Sequence, residues 1–514
     1  MLSNDITKKP DDRPGLPVAV LETGGPSVMA ADEPTFARTL AMIGGALVIF
    51  GGMALGFNLA GAGARVSTGW AVLALTLGLS MMLFHAAFDR DVQLRRLYMT
   101  FGIAVVGLGF ILCVLPFPEK VGGLFRWAVP CLLIGLLFLI SFLRNEDDPS
   151  IRNYAQLFLG VDGVVLAVAG VLGGFLRVDY FLPMGLVLGL IGLAFLAAFI
   201  ASRGIADDLG FYAALAICLL GVLVIVIALG KSIFPANGYR FFVSQGFLFL
   251  LVGLAYLAVG AGLSLDWPLF VLTRRELGSF FLSPIAYLTL AGFTIIGGAQ
   301  YLLYLFRLFE ADGGLVMEPI VHGYFYSLLP VIVVIFVPSV LTMRLLSEEQ
   351  RSGTMEVLLT APVDESVVVF SKFIAALLMF LIVWIPIGLY LLAIPLMGGS
   401  PFDYRPLLGF LLTLTVTGAG FIGMGLFFSS VTKNQIAAGV LTLSGMLVLT
   451  MPHLVQGISR DPVINKILFH VSYIDLWWET LRGKVVPQYL LFYLSLASLS
   501  LFLTVKVLES RKWR

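Results

Sequence analysis

The sequence predicts an all-α fold: a polytopic integral membrane protein with about fourteen transmembrane helices. Three observations carry this. Of the 514 residues, 59% are hydrophobic and only 12% are charged, where a water-soluble chain is about 25% charged. Mean hydropathy is +0.99. Apolar runs of about 20 residues recur along the whole chain. So few charges leave too little polar surface to face water, and lipid becomes the solvent for most side chains. Lipid offers no partner to free backbone groups, so runs of this length must close their hydrogen bonds as helices.

In chain order, residues 1–36 are rich in Pro, Asp, Lys and Gly. They lack the charged start followed at once by an apolar stretch that marks a signal peptide, and read as a disordered cytoplasmic tail. Eight apolar runs follow, near 39–60, 68–88, 98–115, 127–143, 157–176, 180–201, 208–230 and 241–265. They form an N-terminal membrane block, residues 37–265, whose role the sequence leaves open. A second block, residues 266–514, holds six runs near 285–306, 323–345, 368–396, 405–429, 435–455 and 487–508. With the N-terminus inside, Arg95, Arg96, Arg144, Arg152, Arg203, Arg274, Arg275, Arg344 and Arg351 fall at cytoplasmic connections. Their excess over the opposite loops, with Arg511, Lys512 and Arg514 at the end, places both termini in the cytoplasm.

Net charge is +1, so no basic field points to nucleic acid. Cys113, Cys131 and Cys218 lie in apolar runs without zinc spacing and read as packing residues, not as disulfides or metal ligands. His85, His322, His453 and His470 lie near span ends or in outer loops and read as interfacial hydrogen-bonders. Tyr473, Trp477 and Trp478, in an outer loop at 456–486, read as an interface anchor. Gly418, Gly420, Gly423 and Gly425 permit close helix approach, which suits a dimer seam. Asp162 is the candidate intramembrane polar site. It lies inside the fifth span, where a charge costs roughly 2.5–3.5 kcal/mol. It either faces a polar path or sits near enough the interface to be wetted or paired.

Two segments carry mechanism. In Asp266 to Pro284, Asp266 can cap a helix, Pro268 fits its first turn and Pro284 ends it. Phe270, Leu277 and Phe281 share one face, and Arg274, Arg275 and Glu276 leave from others. This is either a helix lying in the inner membrane interface or the cytoplasmic end of the eighth span. In Met343 to Pro362, the charges Arg344, Glu348, Glu349, Arg351 and Glu356 crowd into a chain otherwise poor in charge. Ser352 or Thr354 can cap a short helix around Gly353. Met355, Leu358 and Leu359 then form an apolar tip, and Pro362 closes it. A capped helix with an apolar tip and charged flanks suits docking in a partner's groove; a solvated loop is the alternative.

The run Val337 to Phe373 resembles the signature of type 2 ABC exporter permeases, most of all the branch named after gliding motility. The resemblance covers about residues 268–514. It is carried by Glu349, Arg351, Ser352, Gly353, Thr354, Glu356, Leu358, Leu359, Pro362 and Lys372. Arg274 to Tyr287 is similar to the family's interfacial elbow helix. The resemblance implies a six-span permease domain at 266–514, with an elbow that includes Arg274, Arg275, Glu276 and Phe281. It implies a coupling helix, Glu349 to Pro362, seated on a separate ABC ATPase subunit. Such permeases pair as homodimers or heterodimers in the bacterial-type plasma membrane. The eight-span block is a departure from the bare six-span pattern.

The expected function is therefore the permease subunit of an ATP-driven transporter, most of all an exporter. This chain is expected to bind no cofactor, with ATP and Mg on the partner. A phosphate-cradling loop requires Gly-x-x-x-x-Gly-Lys-Ser/Thr. Gly230-Lys231-Ser232 has Ile225 where the first glycine belongs, and it ends an apolar span. Two other classes stay open, a fourteen-span secondary transporter and a membrane scaffold subunit. Gly204 to Gly210 resembles the major facilitator loop motif without its basic residues. No hydrolase triad or paired carboxylates share a face, so no membrane enzyme is expected.

Overall fold

The structure, a computed structural model, describes residues 33–59, 68–88, 92–114, 125–176, 184–204, 207–234, 246–310, 320–325, 328–355, 363–396, 405–456 and 461–512. Residues 1–32 of the expected tail lie outside this set. No strand occurs among the described residues.

The first eight helices are α1 (Glu33–Leu59), α2 (Thr68–Phe88), α3 (Val92–Val114), α4 (Phe125–Asn145), α5 (Pro149–Ala167), α6 (Leu186–Arg203), α7 (Asp208–Ile233) and α8 (Phe247–Ser264). Asp148 caps α5 by accepting from the Ser150 N–H, with Pro149 in its first turn. A π-helical turn, Val168–Leu172, continues α5. Next come α9 (Pro268–Leu282), α10 (Pro284–Glu310), α11 (Ile320–Phe325), α12 (Leu328–Thr342) and the short α13 (Ser347–Ser352). The chain ends with α14 (Glu365–Leu396), α15 (Arg405–Val431), α16 (Gln435–Gln456), α17 (Pro462–Val471), α18 (Tyr473–Leu481) and α19 (Pro487–Lys512).

A helix stands at each of the fourteen expected spans. Among the described residues, 11 are long and apolar enough to cross a bilayer, or up to 12 if a bent pair counts as one. That pair is α8 with α9, which meet at 102°. The segment after Asp266 is thus a separate helix turned away from α8, not its straight continuation. The tenth expected span, 323–345, is built from two pieces, α11 and α12.

The chain divides into two compact units, residues 1–100 and 101–514, with the division inside α3. In the first, α1 and α2 form a hairpin whose backbones nearly touch. A Cβ on Gly78 would lie 2.6 Å from the Gly44 carbonyl oxygen, so only glycine admits the contact. His85 Nδ1 and the Tyr98 hydroxyl are 2.9 Å apart in the same unit. In the second unit, α5 packs on α6, and α7 on α8, by the same device. A Cβ on Gly221 would meet the Leu257 nitrogen at 2.6 Å.

The second unit also holds a buried apolar core running from Ala286 to Leu508. Its centre is aromatic. The Trp384 and Trp477 rings meet edge to face at 5.6 Å, and Phe410 and Trp477 at 5.4 Å, the arrangement ring quadrupoles favour. Two expectations are corrected here. Tyr473 and Trp477 are buried, not anchored at a membrane surface. Ser472 caps α18 and turns its apolar face inward, where the Trp477 indole N–H donates to Thr417 Oγ1 at 3.3 Å. The α15 glycines face helices of the same chain: Gly418 meets Phe380, Gly420 meets Tyr493, Gly423 meets Ala497 and Gly425 meets Thr342. They make an internal seam, not a free face for a dimer.

Candidate functional site

Residues 346–350, which follow α12, are fixed from both sides by polar contacts. A short helix leaves its first N–H groups without internal partners. The Ser429 hydroxyl, near the end of α15, accepts from the N–H groups of both Leu346 and Ser347, each at 3.1 Å. Gln350 Nε2 then donates to the Ser430 carbonyl at 2.7 Å, and Arg511 of α19 donates to the same oxygen at 2.9 Å. The start of α13 is therefore seated on the ends of α15 and α19. Its own end is set by Gly353, at φ +75°, a left-handed residue that glycine adopts without strain. Glu348, Arg351, Ser352, Gly353 and Thr354 are exposed.

On the opposite flank lies a buried chain of alternating charges. The Lys372 ammonium, on α14, donates to Glu349 Oε1 at 2.7 Å and to Glu276 Oε2 at 3.0 Å. Glu276 Oε1 in turn accepts from Arg275 at 3.1 Å. The Lys372 side chain is 3% exposed, Glu276 11% and Glu349 20%, while Arg275 reaches the surface at 60%. One lysine thus joins α9, α13 and α14. Burying such charges is costly, and mutual pairing is what offsets the cost. Burial pushes the Glu349 carboxyl above its ordinary range, and Lys372 draws it partly back. A second tie runs from Arg344 to the Ser283 hydroxyl at 2.7 Å, with Glu348 accepting from the same guanidinium at 3.1 Å.

The structure brings Glu276, Glu349 and Lys372 together and leaves Arg351, Gly353 and Thr354 at the exposed tip. Glu356, Leu358, Leu359 and Pro362 lie outside the described residues. Met355 corrects the expected apolar tip: it is 5% exposed and belongs to the core. Ser352 is the last residue of α13, its hydroxyl donating back to the Glu348 carbonyl at 2.9 Å, and helix resumes after Gly353 at Thr354. On α9, Thr273 and Glu276 are buried, while Val271, Arg275, Ser279 and Phe281 are exposed, so its outward side mixes apolar and polar residues. Arg274 donates to the carbonyls of Leu263 and Leu265 at 3.1 and 2.9 Å, tying α9 to the end of α8. Asp162 stands apart in α5, with Oδ2 buried and no hydrogen-bond partner among the described residues.

Sequence reasoning missed Ser429 and Asp475. Asp475, on α18, accepts from Gln456 at 2.9 Å and pairs with His453 at 3.1 Å. Both contacts hold α18 to the end of α16 remote from α13. A serine beside apolar residues and an aspartate in a loop carry no distinguishing sequence signal, because their partners are far along the chain.

The family model described as ABC-2 family transporter protein matches residues 318–467. This stretch runs from α11 into α17 and contains α13 and Lys372. This matched region is similar to the membrane part of type 2 ABC transporters. No curated protein and no solved structure matches the chain. ABC-2 permeases are membrane transport components and typically work with an ATPase subunit.

Proposed function

We propose that this chain is the transmembrane subunit of an ATP-driven exporter, worked by a separate nucleotide-binding subunit that holds ATP and Mg. The observation that carries the reading is α13: a short helix with an exposed charged end, inside the matched region and anchored below by the buried Lys372 ion pairs. A rigid base and an exposed tip suit a part that receives force from outside. The coupling surface extends from Glu349 through Arg351, Gly353 and Thr354 to Glu356, Leu358, Leu359 and Pro362. It lies on the cytoplasmic side of the plasma membrane, with both termini. α9 is the elbow helix at the inner leaflet, its exposed Phe281 side in lipid and its Glu276 side against the protein. Residues 266–514 form the permease domain, and 37–265 an accessory membrane block. Two such permease chains, identical or not, pair around the cargo route.

Purified alone, the protein is expected not to hydrolyse ATP. The charge and volume changes Glu356→Arg and Leu358→Asp, made together, should abolish co-purification with the ATPase subunit. Unchanged association would overturn the coupling assignment. Loss of ATP-dependent cargo release from cells carrying the double variant tests the export direction.

A further inference from the structure

We infer that α9 is a strut that carries movement of α13 into the N-terminal membrane block, with Lys372 as the positioning residue that fastens it. The inference rests on the coupling role proposed above and extends it to α8, the last helix of that block. Two residues near the middle of α9, Arg274 and Glu276, carry its two fastenings. Toward α13, Glu276 meets Lys372 at 3.0 Å, and Lys372 meets Glu349 at 2.7 Å. Toward α8, Arg274 holds the Leu263 and Leu265 carbonyls and pairs with Asp266 at 3.7 Å. Because α8 and α9 meet at 102°, a displacement of α9 along its own axis pushes against the end of α8 instead of sliding past it.

Among the described residues, Lys372 and Arg344 tie α9 to the α13 segment. On the α9 side Arg344 donates to the Ser283 hydroxyl at 2.7 Å, one hydrogen bond to an uncharged group, while its ion-pair partner Glu348 lies on α13 itself. Lys372 is 3% exposed, so its ion pairs are screened far less than exposed ones. The charged groups facing it are Glu276 and Arg275 from α9 and Glu349 from α13. Positive and negative alternate along that row. Removing the ammonium leaves Glu276 and Glu349 buried without the cation that both bind, which frees α9 from α13.

The test uses the full chain in lipid nanodiscs, with Cys113, Cys131 and Cys218 replaced by serine and spin labels placed by Ser279→Cys and Ser352→Cys, both exposed positions. Dipolar coupling between the labels should report one narrow distance distribution, broadened in Lys372→Met. The neutral variant Lys372→Met, Glu276→Gln, Glu349→Gln should recover the unfolding midpoint yet keep the broad distribution, because it restores the fold without the fastening. A distribution that stays narrow in Lys372→Met while the midpoint falls would make Lys372 a stabilising residue only and overturn the inference. In the complex trapped with ADP and vanadate, hydrogen exchange in α8 should change, and the change should be lost in Lys372→Met and in Arg274→Ala. If it persists in both, α9 is not the strut. Failure of any ATPase subunit to associate with the unaltered chain would instead remove the proposed function, while the spin-label result still decides the fastening.

Discussion

Lys372 is buried at 2% exposure between two carboxylates, and the consequences of changing it follow from what stays behind. Lys372→Met removes the ammonium but leaves Glu276 and Glu349 buried. Breaking a buried pair in this way costs about 3–5 kcal/mol, so a clear fall in the unfolding midpoint in detergent is expected. Neutralising all three positions removes the uncompensated charge and should recover most of that loss. Glu349 behaves differently. Its carboxyl is raised by burial more than Lys372 lowers it, so the folded chain holds that proton more tightly than the unfolded chain. Stability from this group is present below the ordinary glutamate value and is lost as pH rises through the raised one. Unfolding midpoints measured across mildly acidic pH should show that decline, and Glu349→Gln should flatten it. All three residues stood out in the sequence as charges in a charge-poor chain or through the family resemblance. Their meeting at one ammonium did not, since spacing along a chain says nothing of which helices later lie side by side.

The helices themselves were readable for a physical reason: in lipid an apolar run of sufficient length has no other way to satisfy its backbone. All fourteen expected positions therefore hold helices. What composition could not show is how the short elements turn. The expected apolar tip placed Met355 outside, whereas Gly353 reverses the chain and Met355 enters the core. The aromatic residues of α18 suggested a surface anchor, but caps at Asp461 and Ser472 fold that loop back on the domain. The same logic identifies weak points. Ser429→Ala would strip the Leu346 and Ser347 N–H groups of their acceptor, costing about 1–3 kcal/mol. Hydrogen exchange should speed up over residues 343–355 and stay unchanged in α17. Asp461 caps α17 by accepting from the N–H groups of Val463 and Ile464 at 2.8 and 3.4 Å. Asp461→Ala should cost about 1 kcal/mol and loosen α17 while leaving α13 protected, a pattern that locates each cap by its own exchange signature.

Whether residues 266–514 fold without the N-terminal block depends on where the apolar core closes. The core that spans α10 to α19 draws its buried residues from Ala286 to Leu508 and, among the described residues, includes none from α1 to α8. A chain that buries its own aromatic centre retains the main driving force for packing when the rest is removed. A fragment of residues 266–514 should therefore insert in membranes and show a cooperative unfolding transition, with the tryptophans of α14 and α18 protected from quenchers. It should differ from the full chain at one place. Arg274 loses the Leu263 and Leu265 carbonyls, so α9 keeps its fastening at Lys372 and loses the one toward α8. Faster exchange confined to the first turns of α9, with α13 still protected, is the expected outcome. A fragment that aggregates or unfolds without cooperativity would show that the N-terminal helices contribute to the permease core itself, and the division of the chain near residue 266 would fail with it.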